Sequence, residues 1–365
     1  MTTRVGVNLT WIAPGRVGGS EEYLTRQLLG LPSDGFDLEL YCSPAFTRSH
    51  PELAERFAMV PTPIDRDNRA IRIGLEHSWL PARSRRVDVV HHGGGTMPIE
   101  LRRPTVLTVH DLQYRTFPQY FSSGRRRYLE LMMRSSVGRA TVVAVPTEYV
   151  RSTVVTGFDV DPDRVTVVPH GVPDVSILPA AIAAARERHG LGDRPYVVYP
   201  AITHPHKGHR VLIEMLAASD DDLMLVLIGG EGAAEPTLRN EIASKGVAGR
   251  VVRAGRVSTG DRDALLAGSE ALVFPSEYEG FGAPLVEAMV LGVPIVCSSA
   301  PAVREVVGDA GVVVEDAMDW AAALRDARSR RDELVDRGAE RRGMFTLEAS
   351  GRALAAAYRR AEVAG

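Results

Sequence analysis

Short β-branched apolar runs recur along this chain at residues 5–9, 87–90, 106–109, 142–145 and 165–168, then at 196–199, 223–228, 251–254, 271–274, 294–297 and 312–314. Between them lie stretches with helical spacing of apolar positions, among them 20–31, 147–156, 207–218, 258–268 and 284–291. Runs this brief that are apolar on both faces predict parallel strands covered by helices on both sides. The rhythm pauses over residues 169–195, where Pro173 and Pro179 flank a polar helical stretch near 180–189, and the domain boundary is expected there. The pattern therefore predicts an α/β chain of two Rossmann-like, doubly wound domains joined by a linker. Ligands of such sheets sit beyond the carboxyl ends of the strands, so the chemistry is expected in strand-to-helix loops and in the cleft that two such domains create.

Composition narrows the function classes. The 365 residues suit two or three compact units, and 43 basic against 46 acidic side chains give a formal charge of −3, without the strong positive field of a dedicated nucleic-acid binder. Residues 1–170 hold 21 basic and 18 acidic groups and the remainder 22 and 28, so the first half is mildly basic and the second acidic. Arg125, Arg126, Arg127, Arg134 and Arg139 gather on one predicted helix. Such a cluster reads either as a solvated face or as a surface that meets an anionic acceptor or a membrane. Cys42 and Cys297 lie too far apart in sequence to suggest a disulfide framework or a metal knuckle, which points to a reducing compartment. No apolar run reaches the roughly 18 residues of a membrane span, and Asn8 interrupts the N-terminal apolar stretch. A cytoplasmic protein, with at most peripheral contact at the inner membrane surface, is expected.

The most informative loop runs from Phe274 to Pro294. A strand ends at Phe274, Gly280 and Gly282 let backbone approach a ligand, and Pro284 fits the first turn of a helix whose N–H groups attract phosphate or sugar oxygens. Glu279 and Glu287, eight positions apart across that turn, suit the two ends of one elongated ligand better than the two sides of a single bond. Read alone, each favours the plainer reading, a capping carboxylate for Glu279 and a solvated helix side chain for Glu287. A second loop follows Tyr199 and carries His204, His206, Lys207, His209 and Arg210. Only Lys207 and Lys245 interrupt an otherwise all-Arg set of cations, so an ammonium in this loop suggests a compact charge for phosphate. The three histidines lack a nearby fourth ligand and Lys207 would repel a cation, so no metal site is expected.

In the first half, Gly18 and Gly19 allow close backbone approach before a helix for which Ser20 is a candidate N-cap, and His110 with Asp111 ends a strand. His110 reads either as a cleft residue or as a core histidine satisfied by backbone. The stretch from Gly230 to Glu235 imitates a dinucleotide fingerprint but has Glu235 at its third glycine position, and no Walker loop, nucleophile elbow or His-Glu-x-x-His is present.

With these loops in view, the chain resembles the retaining glycosyltransferases of family 4, most strongly from Tyr196 to Glu315, where the Glu-x7-Glu motif within Pro275-Ser-x-x-Glu-Gly-Phe-Gly-x-Pro-x-x-Glu-Ala-Met carries the likeness. The resemblance implies the GT-B fold: an acceptor-binding domain over 1–170, a linker and nucleotide-sugar domain over 171–345, and a C-terminal helix over 346–365 returning to the first domain. It implies that Glu279 and the amides of Gly280, Phe281 and Gly282 hold the donor sugar, that Glu287 binds ribose, and that Lys207 neutralises the diphosphate. It further implies that Gly18 and Gly19 admit the phosphates and that His110 contacts the sugar. Many family members carry an Arg five residues before that Lys. Here the position is Ile202, and His204, His206 or Arg210 is expected to supply the second donor group.

The implied reaction moves a hexose, with mannose favoured, from a nucleoside diphosphate sugar to a glycan, lipid-linked or small acceptor. It needs neither cofactor nor metal, because Lys207 and a helix terminus stabilise the leaving group. A nucleotide-sugar epimerase on the same fold and a non-catalytic nucleotide-sugar-binding protein are the competing readings.

Overall fold

The computed structural model describes residues 2–15, 19–64, 69–99, 103–219, 222–315 and 320–364. Two compact units emerge, one from Met1–Pro173 with Phe345–Gly365 and the other from Asp174–Met344.

The first unit holds β1 (Thr3–Asn8), β2 (Phe36–Cys42), β3 (Ala58–Pro61), β4 (Val89–His92), β5 (Thr105–Thr108), β6 (Val142–Val145) and β7 (Val165–Val167). They form one sheet in the order β3-β2-β1-β4-β5-β6-β7, parallel throughout. β4, β5 and β6 are buried along their whole length, as expected of strands covered on both faces. β2 and β3 are additional to the strands read from the sequence. Phe36-Asp-Leu-Glu-Leu alternates apolar with acidic residues instead of running apolar, and the outermost strand β3 is short and largely solvated. The first helix, Gly19–Leu29, begins one residue before Ser20, so Ser20 lies inside it rather than capping it.

The helix Leu347–Val363 completes the core of this unit, with Leu354, Ala355, Tyr358 and Ala361 buried among Val5, Leu28 and Val89. Its start is capped by Thr346, whose hydroxyl accepts from Ala349 N at 3.1 Å. The packing is close enough that a Cβ on Gly351 would overlap the backbone of Gly30. Tyr358 Oη hydrogen-bonds His91 Nδ1 at 2.9 Å, and Thr3 Oγ1 donates to Glu362 at 2.8 Å.

The second unit holds β8 (Tyr196–Pro200), β9 (Met224–Ile228), β10 (Val251–Gly255), β11 (Ala271–Phe274), β12 (Ile295–Ser298) and β13 (Val312–Val314), in the parallel order β10-β9-β8-β11-β12-β13. Chain order runs outward in one direction from β8 and in the other from β11. Loops leaving the ends of these two neighbours therefore diverge and leave a crevice, the position at which open α/β sheets take ligands. Each sheet has one such point, the first unit's lying between β1 and β4. Cys42 and Cys297 are buried free thiols. Among the described residues no helix is long and apolar enough to cross a membrane.

Candidate functional site

In the second unit, register pairs Ala271 with Val197 and Leu272 with Val198, so the loops after β8 and β11 leave the sheet side by side. The loop after β8 does not run directly into a helix from Lys207, as its apolar spacing suggests. Pro205–Lys207 forms a 3-10 turn, Gly208 breaks it at φ 67°, and the helix proper is His209–Ala217. This break brings the two loops into contact. Glu277 N donates to His206 O at 2.8 Å and a Cβ on Gly208 would overlap Pro275 O, while Tyr199 Oη of β8 donates to Lys207 O at 2.9 Å and holds the turn from below. Lys207 Nζ then meets Glu279 Oε1 at 2.6 Å, with both side chains largely covered.

The helix after the second loop, Ala283–Val290, starts from Gly282 at φ 92° with Pro284 in its first turn and no side chain capping it. A terminus of that kind carries a partial positive charge towards the loop. The Phe281 side chain is buried, so at that position it is backbone that borders the crevice. Glu287 is buried one turn into the helix, and its carboxylate lies 3.3 Å from Arg262 Nη2. Arg262 also binds Asp263 at 3.0 Å, which places one guanidinium between two carboxylates. Arg262 sits in the helix Thr259–Ala267, and nothing in its local sequence marks it.

The histidines of the β8 loop contribute differently from the expectation. The His204 and His206 rings stack at 5.8 Å with planes 14° apart. Burial, and then the ammonium of Lys207, holds His206 down to about 3, and the same two causes lower His204. His209 is held down to about 4, by burial first and Arg253 second. At neutral pH these rings offer N–H donors but no positive charge. Arg210 is exposed and turns to Glu214 at 3.0 Å and Glu241 at 3.6 Å, so its guanidinium is engaged away from the Lys207–Glu279 pair. The guanidinium that does reach this loop is Arg253 of β10, which donates to Thr203 Oγ1 at 3.2 Å and pairs with buried Glu235. Among the described residues no group of three His, Cys, Asp or Glu is placed to hold a metal ion.

In the first unit, His110 Nε2 donates to Gly93 O at 2.8 Å, which fixes the proton on Nε2 and leaves the lone pair on Nδ1. Tyr23 meets the ring edge-on at 5.2 Å and Trp11 lies at 6.1 Å, and burial lowers its pKa. Gly18 lies outside the described residues. A Cβ on Gly19 would meet nothing within 4 Å, so packing does not require glycine there. Sequence reading missed a polar cluster at the β1 and β4 ends: Asn8 Nδ2 donates to Glu76 Oε1 at 3.1 Å, and Thr10 Oγ1 donates to Asn8 Oδ1 at 2.6 Å. Asn8 Nδ2 also lies 3.3 Å from His92 Nδ1. Asn8, which interrupts an apolar stretch at the strand end, was the available signal.

Two family models match in tandem, Glycosyltransferase Family 4 over residues 17–175 and Glycosyl transferases group 1 over residues 182–342. The chain is 31% identical over 235 residues to the O-antigen chain mannosyltransferase B of Escherichia coli, covering 62% of this chain and 61% of that protein. It is 31% identical to the alpha-D-kanosaminyltransferase of Streptomyces kanamyceticus, over 48% of each. To the D-inositol 3-phosphate glycosyltransferase of Geodermatophilus obscurus it is 32% identical, over 61% of this chain and 54% of that one. The chain thus spans about half to three fifths of these relatives. Among solved structures, Anabaena Alr3699/HepE in complex with UDP-glucose superposes with a TM-score of 0.76 at 18% identity, over 97% of this chain and 98% of that one. Sucrose-phosphate synthase from Thermosynechococcus elongatus gives 0.78 at 18% identity over the full length of both. With glycosyltransferase models matching both halves and the GT-B fold throughout, this chain belongs to the GT4-like glycosyltransferases.

Proposed function

We propose that the chain is a retaining hexosyltransferase that moves mannose from GDP-mannose to a hydroxyl of a glycan, lipid-linked or small acceptor. The observation that carries this reading is the Lys207–Glu279 pair, set beside the uncapped Gly282 helix start at the crevice between β8 and β11. Mannose is favoured because the Escherichia coli relative and one from Salmonella typhimurium, at 24% identity, are named mannosyltransferases.

In this reading the second unit binds the donor and the first the acceptor. The diphosphate takes the Lys207 ammonium from Glu279, and the freed carboxylate accepts hydroxyls of the donor sugar alongside the backbone of Gly280, Phe281 and Gly282. Glu287 accepts from the ribose. The bond from sugar C1 to phosphate oxygen breaks with its electron pair passing to the diphosphate. Lys207, N–H groups of His204 and His206 and the helix start stabilise that charge. The acceptor oxygen bonds to C1 on the same face and its proton passes to the departing phosphate oxygen. His110, its Nδ1 lone pair available, is assigned to a sugar hydroxyl.

A melting-temperature panel of nucleotide sugars with and without magnesium tests the donor. GDP-mannose should give the largest rise, unchanged by magnesium or chelator. Lys207→Ala should lower kcat about 100-fold or more, whereas replacing the exposed Lys245 should leave turnover intact. A near-normal rate in Lys207→Ala, or isomerised sugar recovered from donor alone, would sink the reading.

A further inference from the structure

The helix Ser123–Arg139 of the first unit begins against its own electrostatics. Ser122 caps it by accepting from Arg125 N at 3.3 Å, yet no acidic residue occupies its first turn, and Arg125, Arg126 and Arg127 follow in succession. Cations at that end oppose the helix dipole and one another, an arrangement that is unfavourable unless an anion joins them.

Two of the five arginines on this helix have structural work. Arg125 lies over the Phe121 ring at 5.2 Å, and Arg139 donates to Pro98 O and Ile99 O. The other three, Arg126, Arg127 and Arg134, line a pocket of about 520 Å³. Glu130, the pocket's one carboxylate, is already held by Arg115 at 2.5 and 2.9 Å and by Tyr114 Oη at 3.2 Å, and Arg115 is itself fixed by Gly157 O at 2.7 Å. Arg134 reaches Glu130 only at 4.0 Å. The side chains of Arg126 and Arg127 have no partner among the described residues. Between these cations the lining is apolar: Pro118, the ring of Tyr114, and Leu131, which is 70% exposed.

We propose that this pocket binds a phosphate group carried on an apolar stem, the phosphate held by the forked donors of Arg126, Arg127 and Arg134 and the stem laid over Leu131 and Pro118. Guanidinium groups match phosphate oxygens in pairs. A surplus of three positive charges, with Arg126 and Arg127 unpartnered among the described residues, beside an exposed leucine, fits a ligand that is anionic at one end and greasy at the other. The site lies wholly in the first unit and requires no donor sugar, so it stands apart from the reaction proposed above. The same chemistry is offered by a soluble phosphate ester and by a lipid headgroup.

Titration calorimetry of the full chain with hexyl phosphate, inorganic phosphate and hexanol tests the pocket. Vesicles of phosphatidylcholine with about a third phosphatidylglycerol form a second arm. Hexyl phosphate should bind about tenfold tighter than inorganic phosphate, with hexanol undetectable. The double variant Arg126→Gln, Arg127→Gln should lose about tenfold or more in affinity. Its melting temperature without ligand should hold or rise, because two cations leave the helix start, and this separates lost binding from lost folding. Leu131→Ser should erase the advantage of hexyl phosphate over inorganic phosphate. Hexyl phosphate that binds and displaces vesicles identifies the headgroup as the source, and binding without vesicle adsorption identifies a soluble ester. Undiminished affinity in the double variant, or vesicle adsorption without hexyl phosphate binding, overturns the proposal in favour of diffuse charge attraction.

Discussion

Glu287 and Asp263 face the same guanidinium, so that Arg262 stands between two largely covered carboxylates on neighbouring helices. Removing Arg262 takes a cation from both carboxylates, and the loss of one partner from a buried ion pair costs about 3 kcal/mol. Arg262→Ala should therefore lower the urea midpoint by that order and weaken nucleotide binding by calorimetry. Adding Glu287→Gln should restore most of the stability and none of the binding. Additive losses in the double variant would show that the two residues are uncoupled. Lys207, Glu279 and Glu287 were legible in the sequence because each departs from its surroundings: a lysine among arginines, and acids flanking a glycine turn. Their pairings were not, since Lys207 and Glu279 are 72 positions apart and Arg262 sits in an ordinary amphipathic helix. Arg210 was misplaced for the converse reason. It lies three residues from Lys207 in sequence, but Gly208 ends one turn and starts another between them, and the helix carries Arg210 to Glu214 and Glu241.

At the level of elements, the same glycine determines how closely the β8 and β11 loops meet. Gly208 needs a left-handed backbone and also has no room for a Cβ, whereas Gly190 shares the backbone conformation, at φ 65°, with open space around it. Gly190→Ala should cost only the conformational penalty, about 1–2 kcal/mol. Gly208→Ala must in addition push the Pro275 carbonyl away, so it should destabilise more and raise KM for the donor. Equal denaturation midpoints for the two variants would exclude the close approach as a constraint. Eleven of the thirteen described strands were legible as β-branched runs, with ends displaced by at most two residues. The two that escaped are on one side of the first sheet, where partial solvation replaces the continuous apolar run with alternation, and β3 is largely solvated.

Across the whole molecule, buried imidazoles set the response to acid. Burial holds His91 and His92 in the first unit down to about 3 and, with neighbouring cations, His206 and His209 in the second down to about 3 and about 4. Their unfolded value is about 6.5. Between that value and the folded one the unfolded chain binds protons that the native chain refuses, so each group withdraws up to about 1.4 kcal/mol per pH unit as the pH falls. His50 runs the other way: burial lowers it, but Glu21 and Glu52 outweigh burial and raise its pKa, so its contribution is fully present in acid and fades as the pH rises through its folded value. With His110, His170 and His204 also lowered by burial, seven imidazoles against one predict a steep loss of urea resistance from pH 6.5 towards pH 4. A flat profile over that range would mean that the imidazoles are charged in the native state.

Because the strands of the first unit precede the second unit in sequence and its closing helix follows it, a ribosome completes the second unit before the first. The uninterrupted middle portion can finish folding as soon as it clears the exit tunnel. The strands that precede it leave an apolar groove uncovered until residues 347–363 are made, and during that interval they depend on slow aggregation or on a chaperone.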